Sequence, residues 1–167
     1  ASSGLQGLEG LLADLSSWAP FYAVGGNHDR MVGWDMVKSA ITRTGGQWLN
    51  GTHSVWRQDN ELPIVLEGPD CPSHGQTGYR VLLAHTPTSF PRVANSGVNL
   101  MLSGHLHGCQ IVTHEANGRL YPGAWLYKWN GLRFSQGNST LVVGRGVHDT
   151  VPIRWNCPRE AVLCQLL

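Results

Sequence analysis

The sequence predicts a layered α/β domain whose second half is rich in strands. Leucines at 5, 8, 11, 12 and 15 repeat at helical spacing. Short apolar runs at 21–24, 79–84 and 99–103 each stop at a loop bearing histidine. The order is helix, strand, helix, then mostly strands, which suits a sheet covered by helices. The 167 residues fit one domain over 1–167 and suffice for a sizeable core.

Each element has a local cause. Ser3 stands in capping position with Gln6 three residues on, and Pro20 closes the first helix. Phe21-Tyr22-Ala23-Val24 reads as a short buried strand running into the turn-rich Gly25-Gly26-Asn27-His28-Asp29. A second helix is expected from Trp34 to Arg43, with Trp34, Val37 and Ile41 on one side and Gly45-Gly46 at its end. Asn50-Gly51 predicts a hairpin between 47–49 and 53–57. Further strands are expected at 62–66, 79–84, 99–103, 139–144, 151–155 and 161–167, with a short helix over 90–95 and a loop at 68–78.

An apolar fraction of 41% and a charged fraction of 14% suit a folded protein. The formal charge is +1 without a basic stretch, so nothing in it points to nucleic acid or to an anionic membrane. No apolar run reaches the ~20 residues that span a bilayer. No signal peptide is visible, but the chain opens at Ala1 without methionine. Cytoplasmic, membrane-peripheral and exported locations therefore all stay open. Cysteines at 71, 109, 157 and 164 form no CxxC pair, which argues against a zinc ribbon or a thioredoxin-like site. An even number permits two disulfides, but buried free thiols are the preferred reading.

The chemistry sits in three strand–loop units. The run 21–24 leads to Asn27-His28-Asp29, 81–84 leads to His85, and 100–103 leads to Gly104-His105-Leu106-His107. Ligands of open α/β sheets collect at the carboxyl ends of strands. Imidazole nitrogens and an amide oxygen are reasonable ligands for zinc, iron or manganese. An extended backbone would send His105 and His107 to the same side, flanked by Gly104 and Gly108 for a tight path. An imidazole outside the metal shell, such as His28, can exchange a proton near neutral pH, with Asp29 fixing its tautomer. A lone histidine at a strand end is more often structural, and the combination is what carries weight.

Gly26-Asn27-His28-Asp29, His85 after an apolar strand, and Gly104-His105-Leu106-His107-Gly108 resemble the GNH[DE], single-H and GHxH motifs of calcineurin-like metallophosphoesterases. The run 97–110, and the tail from Gly144-Arg145-Gly146 to Pro158-Arg159-Glu160, resemble a bacterial branch of small, often exported phosphodiesterases. Some members of that branch act on lipid-linked nucleotides. The resemblance implies a β-sandwich flanked by helices and two divalent or transition metal ions, manganese, iron or zinc. Asn27, His85 and His105 would hold the second metal and His107 would belong to the first. His28 would protonate the leaving group, supported by Asp29. The substrate would be a phosphoester, with nucleotides and lipid-linked phosphodiesters as candidates. Gly-Asn-His-Asp, rather than Gly-Asn-His-Glu, leans away from protein serine/threonine phosphatases.

The sequence also departs from the family pattern. The family's DxH and GDxxD motifs do not occur in it. The resemblance then implies a domain lacking its N-terminal strands, without a bridging carboxylate, and at most one partial metal site. Such a chain is expected to need the missing segment, self-association or a rearranged sheet, and to be weak or inactive alone. Cys109 replaces a glycine common in the branch and is read as a small packing residue. Arg30 and Arg145 are candidate phosphate contacts, each weighed against a structural role. His53, His74, His114 and His148 are read as surface or loop residues, with His148 worth checking for proximity to the site. The alternative function is a non-catalytic remnant that binds metal or a partner. A small histidine-rich metal-binding protein would not explain the strand–loop order or the tail.

Overall fold

The computed structural model describes residues 2–59, 61–71 and 77–166. They form two compact units, Ala1–Gly78 and Tyr79–Leu167. The class is mixed α/β, as expected. The side chains of Ser3, Gln6 and His74 lie outside the described residues.

In the first unit, helix α1 spans Ser2–Trp18 and strand β1 is only Tyr22–Ala23. The turn-rich segment proves partly helical, because α2 begins at Asn27 and runs to Val32. Helix α3 is Trp34–Arg43, the span its pattern predicts. Val37 and Ile41 of α3 pack with Trp48, Leu12, Phe21 and Ala23 in one small core. Leu8, Leu11 and Leu15 are not in it and stay exposed, so the leucine face of α1 is only partly used. At the end of α3, Gly45 takes φ 88° and Gly46 N–H donates to the Ile41 carbonyl, a stop that favours glycine.

The hairpin expected at Asn50-Gly51 does not form. Strand β2 (Gln47–Trp48) pairs in parallel with β1, and β3 (His53–Trp56) pairs antiparallel with β4 (Ile64–Glu67). The turn itself exists, with Thr52 N–H donating to the Leu49 carbonyl at 2.9 Å. Its Asn50 side chain is committed elsewhere, accepting the Gly25 N–H at 2.8 Å. Tertiary hydrogen bonds have outweighed a local preference.

The second unit is built on strands β5 (Tyr79–Ala84), β6 (Leu100–Ser103), β9 (Arg133–Gln136) and β10 (Ser139–Val143). Strands β5, β6 and β10 run in parallel, and β9 lies antiparallel to β10. Period-2 alternation sends Leu82, Met101, Leu141 and Phe134 to one face. Helix α4 (Phe90–Val93), entered through a 3-10 turn at Pro87–Ser89, covers that face with Phe90 and Val93. A hairpin of β7 (Val112–Ala116) and β8 (Arg119–Pro122) forms a separate two-stranded sheet. The strands expected at 151–155 and 161–167 are absent among the described residues. Residues 151–155 contribute only a bridge between Ile111 and Trp155. Cys109, Cys157 and Cys164 are free thiols, and Cys157 is buried.

Phe90 is fully buried and sits edge-on to Trp129, at 5.2 Å between ring centres. Phe90→Ala should cost about 3–5 kcal/mol. Thermal denaturation of the variant should show a melting temperature lower by roughly 10 °C. An unchanged melting temperature would mean that this face of the sheet is not the core.

Candidate functional site

The register of the second unit aligns three strand ends. Ala84 of β5 stands opposite Ser103 of β6, which stands opposite Val143 of β10. The next residues are therefore His85, Gly104-His105 and Gly144-Arg145, all at one carboxyl edge. Hydrogen bonds lock this edge. Gly104 N–H and the Ser103 hydroxyl both donate to the His85 carbonyl at 3.2 Å, and Gly144 N–H donates to Ser103 at 2.9 Å. The His85 and His105 rings lie edge to face with centres 4.6 Å apart.

His107 lies one turn further on, but not by extended alternation. The backbone coils here. His105, His107, Cys109 and Gln110 take φ of 71°, 52°, 57° and 59°, and Gly108 takes 61°. L-residues rarely adopt this left-handed region, so the loop is strained. The same-side argument for the two histidines therefore fails. Of the flanking glycines, Gly108 is sterically required, since a Cβ there would meet Cys157 Sγ at 2.7 Å. Gly104 is not, because a Cβ there would meet open space.

Two side chains hold this strained loop, and the motif reading assigned neither a role. The buried Gln110 amide donates to the Val151 and Ile153 carbonyls at 2.6 and 2.9 Å. It also accepts the N–H groups of Thr150 and Val151 at 2.8 and 3.1 Å. Those bonds use the backbone groups a strand at 151–155 would need, which is why that strand is missing. Arg154 donates to the carbonyls of Arg145 (3.1 Å), His148 (2.9 Å), Cys157 (3.2 Å) and Pro158 (3.4 Å), and pairs with Asp149. Asp149 also binds Arg159. Gln110 closes the run that carries Gly104-His105-Leu106-His107, and Arg154 lies in the tail after Gly144-Arg145-Gly146, so position beside a motif was their only sequence signal.

His107 is half-buried, and its Nδ1 is buried without a hydrogen-bond partner. Burial lowers its pKa, and the charges of Arg154, His148 and His105 push the same way, against a backbone group of His148. The ring is therefore neutral at pH 7, the form that binds metals. His148 thus lies close to His107. A cavity of about 290 Å³ opens beside it, lined by His105, His107, Cys109, Tyr127 and Val151 among others. Burial, then the neighbouring Cys157, pushes the Cys109 thiol up, so it stays protonated and fits the packing role expected of it. Arg145 is bound by Glu160, with Nε and Nη2 both 3.1 Å from Oε2, while Glu160 Oε1 accepts the Arg145 N–H at 2.9 Å. The guanidinium thus has a carboxylate partner within its own unit.

The first unit carries Asn27, His28 and Asp29 on the first turn of α2. Asp29 Oδ2 accepts the Gly26 N–H at 2.7 Å, so the carboxylate closes the helix start. Gly25 must be glycine because a Cβ would sit 2.6 Å from the Trp48 ring. Arg30 lies 6.0 Å over Trp34. Histidines outside the motifs are engaged locally: His53 meets Cys71 Sγ at 3.6 Å and His114 stacks on Tyr121 at 4.8 Å.

The donor chemistry bears on a metal. Two imidazoles on one zinc-like ion at about 2.0–2.1 Å put ring centres roughly 4.5–5.5 Å apart, so the His85–His105 spacing suits a shared ion. The buried Nδ1 of His107 is a further nitrogen in the neighbouring loop. Nitrogen donors favour zinc or iron over magnesium or calcium. Among the described residues, however, no three histidine, cysteine, aspartate or glutamate side chains surround one point. The residues fit one incompletely held ion.

Asp149 provides a pH test of the tail that supports this loop. Bonds from the Arg154 and Arg159 side chains hold its pKa below the usual carboxylate value. Its stabilisation is then complete above the unfolded pKa of about 3.9 and disappears as pH falls through the lower native value. Melting curves from pH 2 to 6 should show Asp149→Asn less stable than the parent near pH 6, with the gap closing below about pH 4. A gap independent of pH would contradict this pairing.

No protein-family model matches the chain, and no solved structure matches it. It is 28% identical over 176 aligned residues to phosphodiesterase YaeI of Escherichia coli strain K12, covering 94% of this chain and 62% of that protein. The chain thus spans less than two thirds of this relative's length.

Proposed function

We propose that the chain is part of a metal-dependent phosphodiester hydrolase of the calcineurin-like kind. The observation that carries this reading is the alignment of three parallel strand ends that brings His85 and His105 together beside the His107 loop. The distant likeness to a protein named phosphodiesterase supports the reaction class.

In this reading His85 and His105, with Asn27, bind one ion, and His107 belongs to a second. Bound transition metals would supply Lewis-acid activation of the phosphoryl group and of water. The chain's own residues do the rest. His28 delivers a proton to the leaving oxygen. Asp29 acts by holding the turn that carries His28, consistent with its bond to Gly26. His107, neutral near pH 7, keeps a nitrogen lone pair available. Arg30 and Arg145 are the phosphate contacts, and Arg145 would exchange Glu160 for the substrate. The substrate class is a phosphodiester, with nucleotides and lipid-linked forms as candidates.

A second reading, a remnant that binds metal or a partner without catalysis, is favoured by the missing third ligand around one point among the described residues. Metal analysis combined with hydrolysis of bis-p-nitrophenyl phosphate separates the two. It should be run on this chain and on a form extended upstream to carry the DxH and GDxxD motifs. The extended form should take up metal and hydrolyse the ester, and His107→Ala should lower kcat/KM on the order of a hundredfold or more. Hydrolysis that survives His107→Ala, in a protein that takes up no transition metal, refutes the mechanism.

A further inference from the structure

The total charge of +1 conceals a strong asymmetry. Tyr79–Leu167 carries eight basic and three acidic side chains, a net +5 with histidine neutral, whereas Ala1–Gly78 is −4. From Ala116 through His148 there are Arg119, Lys128, Arg133 and Arg145 and no acidic residue at all. Within that stretch lies Trp125-Leu126-Tyr127-Lys128. Trp125 is 74% exposed and Leu126 82% exposed.

These apolar side chains are displayed on a fixed support. Trp129 packs between Phe90 and Phe134, with ring centres 5.2 Å from each. Asn130 is buried and donates to the Leu120 carbonyl at 2.7 Å. Leu126 and Tyr127 N–H groups both donate to the Gly123 carbonyl, and Trp125 meets Tyr121 edge-on at 5.8 Å. Lys128 is exposed, with its ammonium 4.6 Å over the Trp129 ring. Tyr127 on this turn also lines the cavity shared with His105 and His107.

We propose that the 123–128 turn is a docking wedge for an anionic lipid bilayer, set beside the histidine loop. Tryptophan, tyrosine and lysine around an exposed leucine match the chemistry of the membrane interface, where rings sit at headgroup level. The positive unit supplies attraction to anionic headgroups. A nucleic acid would use the rings for stacking but has no use for an exposed aliphatic leucine. A second copy meeting this turn through the same unit would set +5 against +5, which charge opposes.

The test is sedimentation of the chain with vesicles in the presence of a chelator, so that its result is independent of metal and of hydrolysis. Vesicles of phosphatidylcholine with about 30% phosphatidylglycerol should bind the protein better than phosphatidylcholine alone. The double substitution Trp125→Ala, Leu126→Ser should reduce partitioning roughly tenfold or more on the anionic vesicles. Lys128→Glu should reduce it by about tenfold on anionic vesicles and leave zwitterionic ones unaffected. Circular dichroism should be unchanged in both variants, since the substituted side chains are exposed. Absence of binding to anionic vesicles, or full binding by the Trp125/Leu126 variant, overturns the proposal. So does an oligonucleotide that binds more tightly than vesicles and is indifferent to that double substitution.

Discussion

The parallel register of β5, β6 and β10 is the constraint on which the second unit depends. Aligning Ala84, Ser103 and Val143 puts the next backbone groups of all three strands at one edge. A one-residue slip would turn Leu82, Met101 and Leu141 away from Phe90 and lose the core. The same slip would separate His85 from His105. Packing of the apolar face and placement of the imidazoles are thus one condition met twice. The hydrophobic term is much the larger, so the core fixes the register and the histidines follow it.

Beyond the strand ends, regular structure gives way to side-chain wiring. Residues 144–158 contain no strand, yet they are tied by Gln110 and Arg154 through a series of bonds to backbone groups. A planar guanidinium with its donors in a fixed fork suits this task, and a lysine would not. The pairing of Arg145 with Glu160 belongs to the same frame. A phosphate approaching Arg145 must compete with a carboxylate already bound through side chain and backbone, so its binding there is an exchange of partners.

The sequence made the strand–loop units legible because apolar runs ending at histidine are local features. α3 from Trp34 to Arg43 and β5 from Tyr79 to Ala84 were found for the same reason. The errors came where distant groups decide. Asn50-Gly51 carried a good hairpin signal, but Asn50 is taken up by Gly25 and β3 found β4. Asn117-Gly118, the same dipeptide, does join a hairpin, between β7 and β8. Two identical local signals with opposite outcomes show that the flanking pairing, not the turn, settles register. Likewise 151–155 has the apolar content of a strand, and only a glutamine some forty positions earlier in the chain explains why it is not one. The same-side geometry of His105 and His107 rested on extended backbone, which the loop does not have.

The coil from His105 to Gln110 raises a question of energy. Four non-glycine residues in the left-handed region cost of order 1–3 kcal/mol each. Gln110 offsets part of that with four bonds worth about 1 kcal/mol apiece, and Arg154 steadies the segment that receives them. The docked tail therefore supports a conformation that the loop's own backbone disfavours. An unstrained loop would need no such tail. It follows that the 144–158 segment serves the histidine loop first as its scaffold, whatever ligand the loop receives. Cys109 fits this argument. Its φ of 57° suits a glycine, and its Sγ fills space so tightly that a Cβ on Gly123 would come within 2.5 Å of it. The thiol's packing opposes the strain its backbone carries, which is reason enough for a small, soft side chain there without asking it to hold a metal.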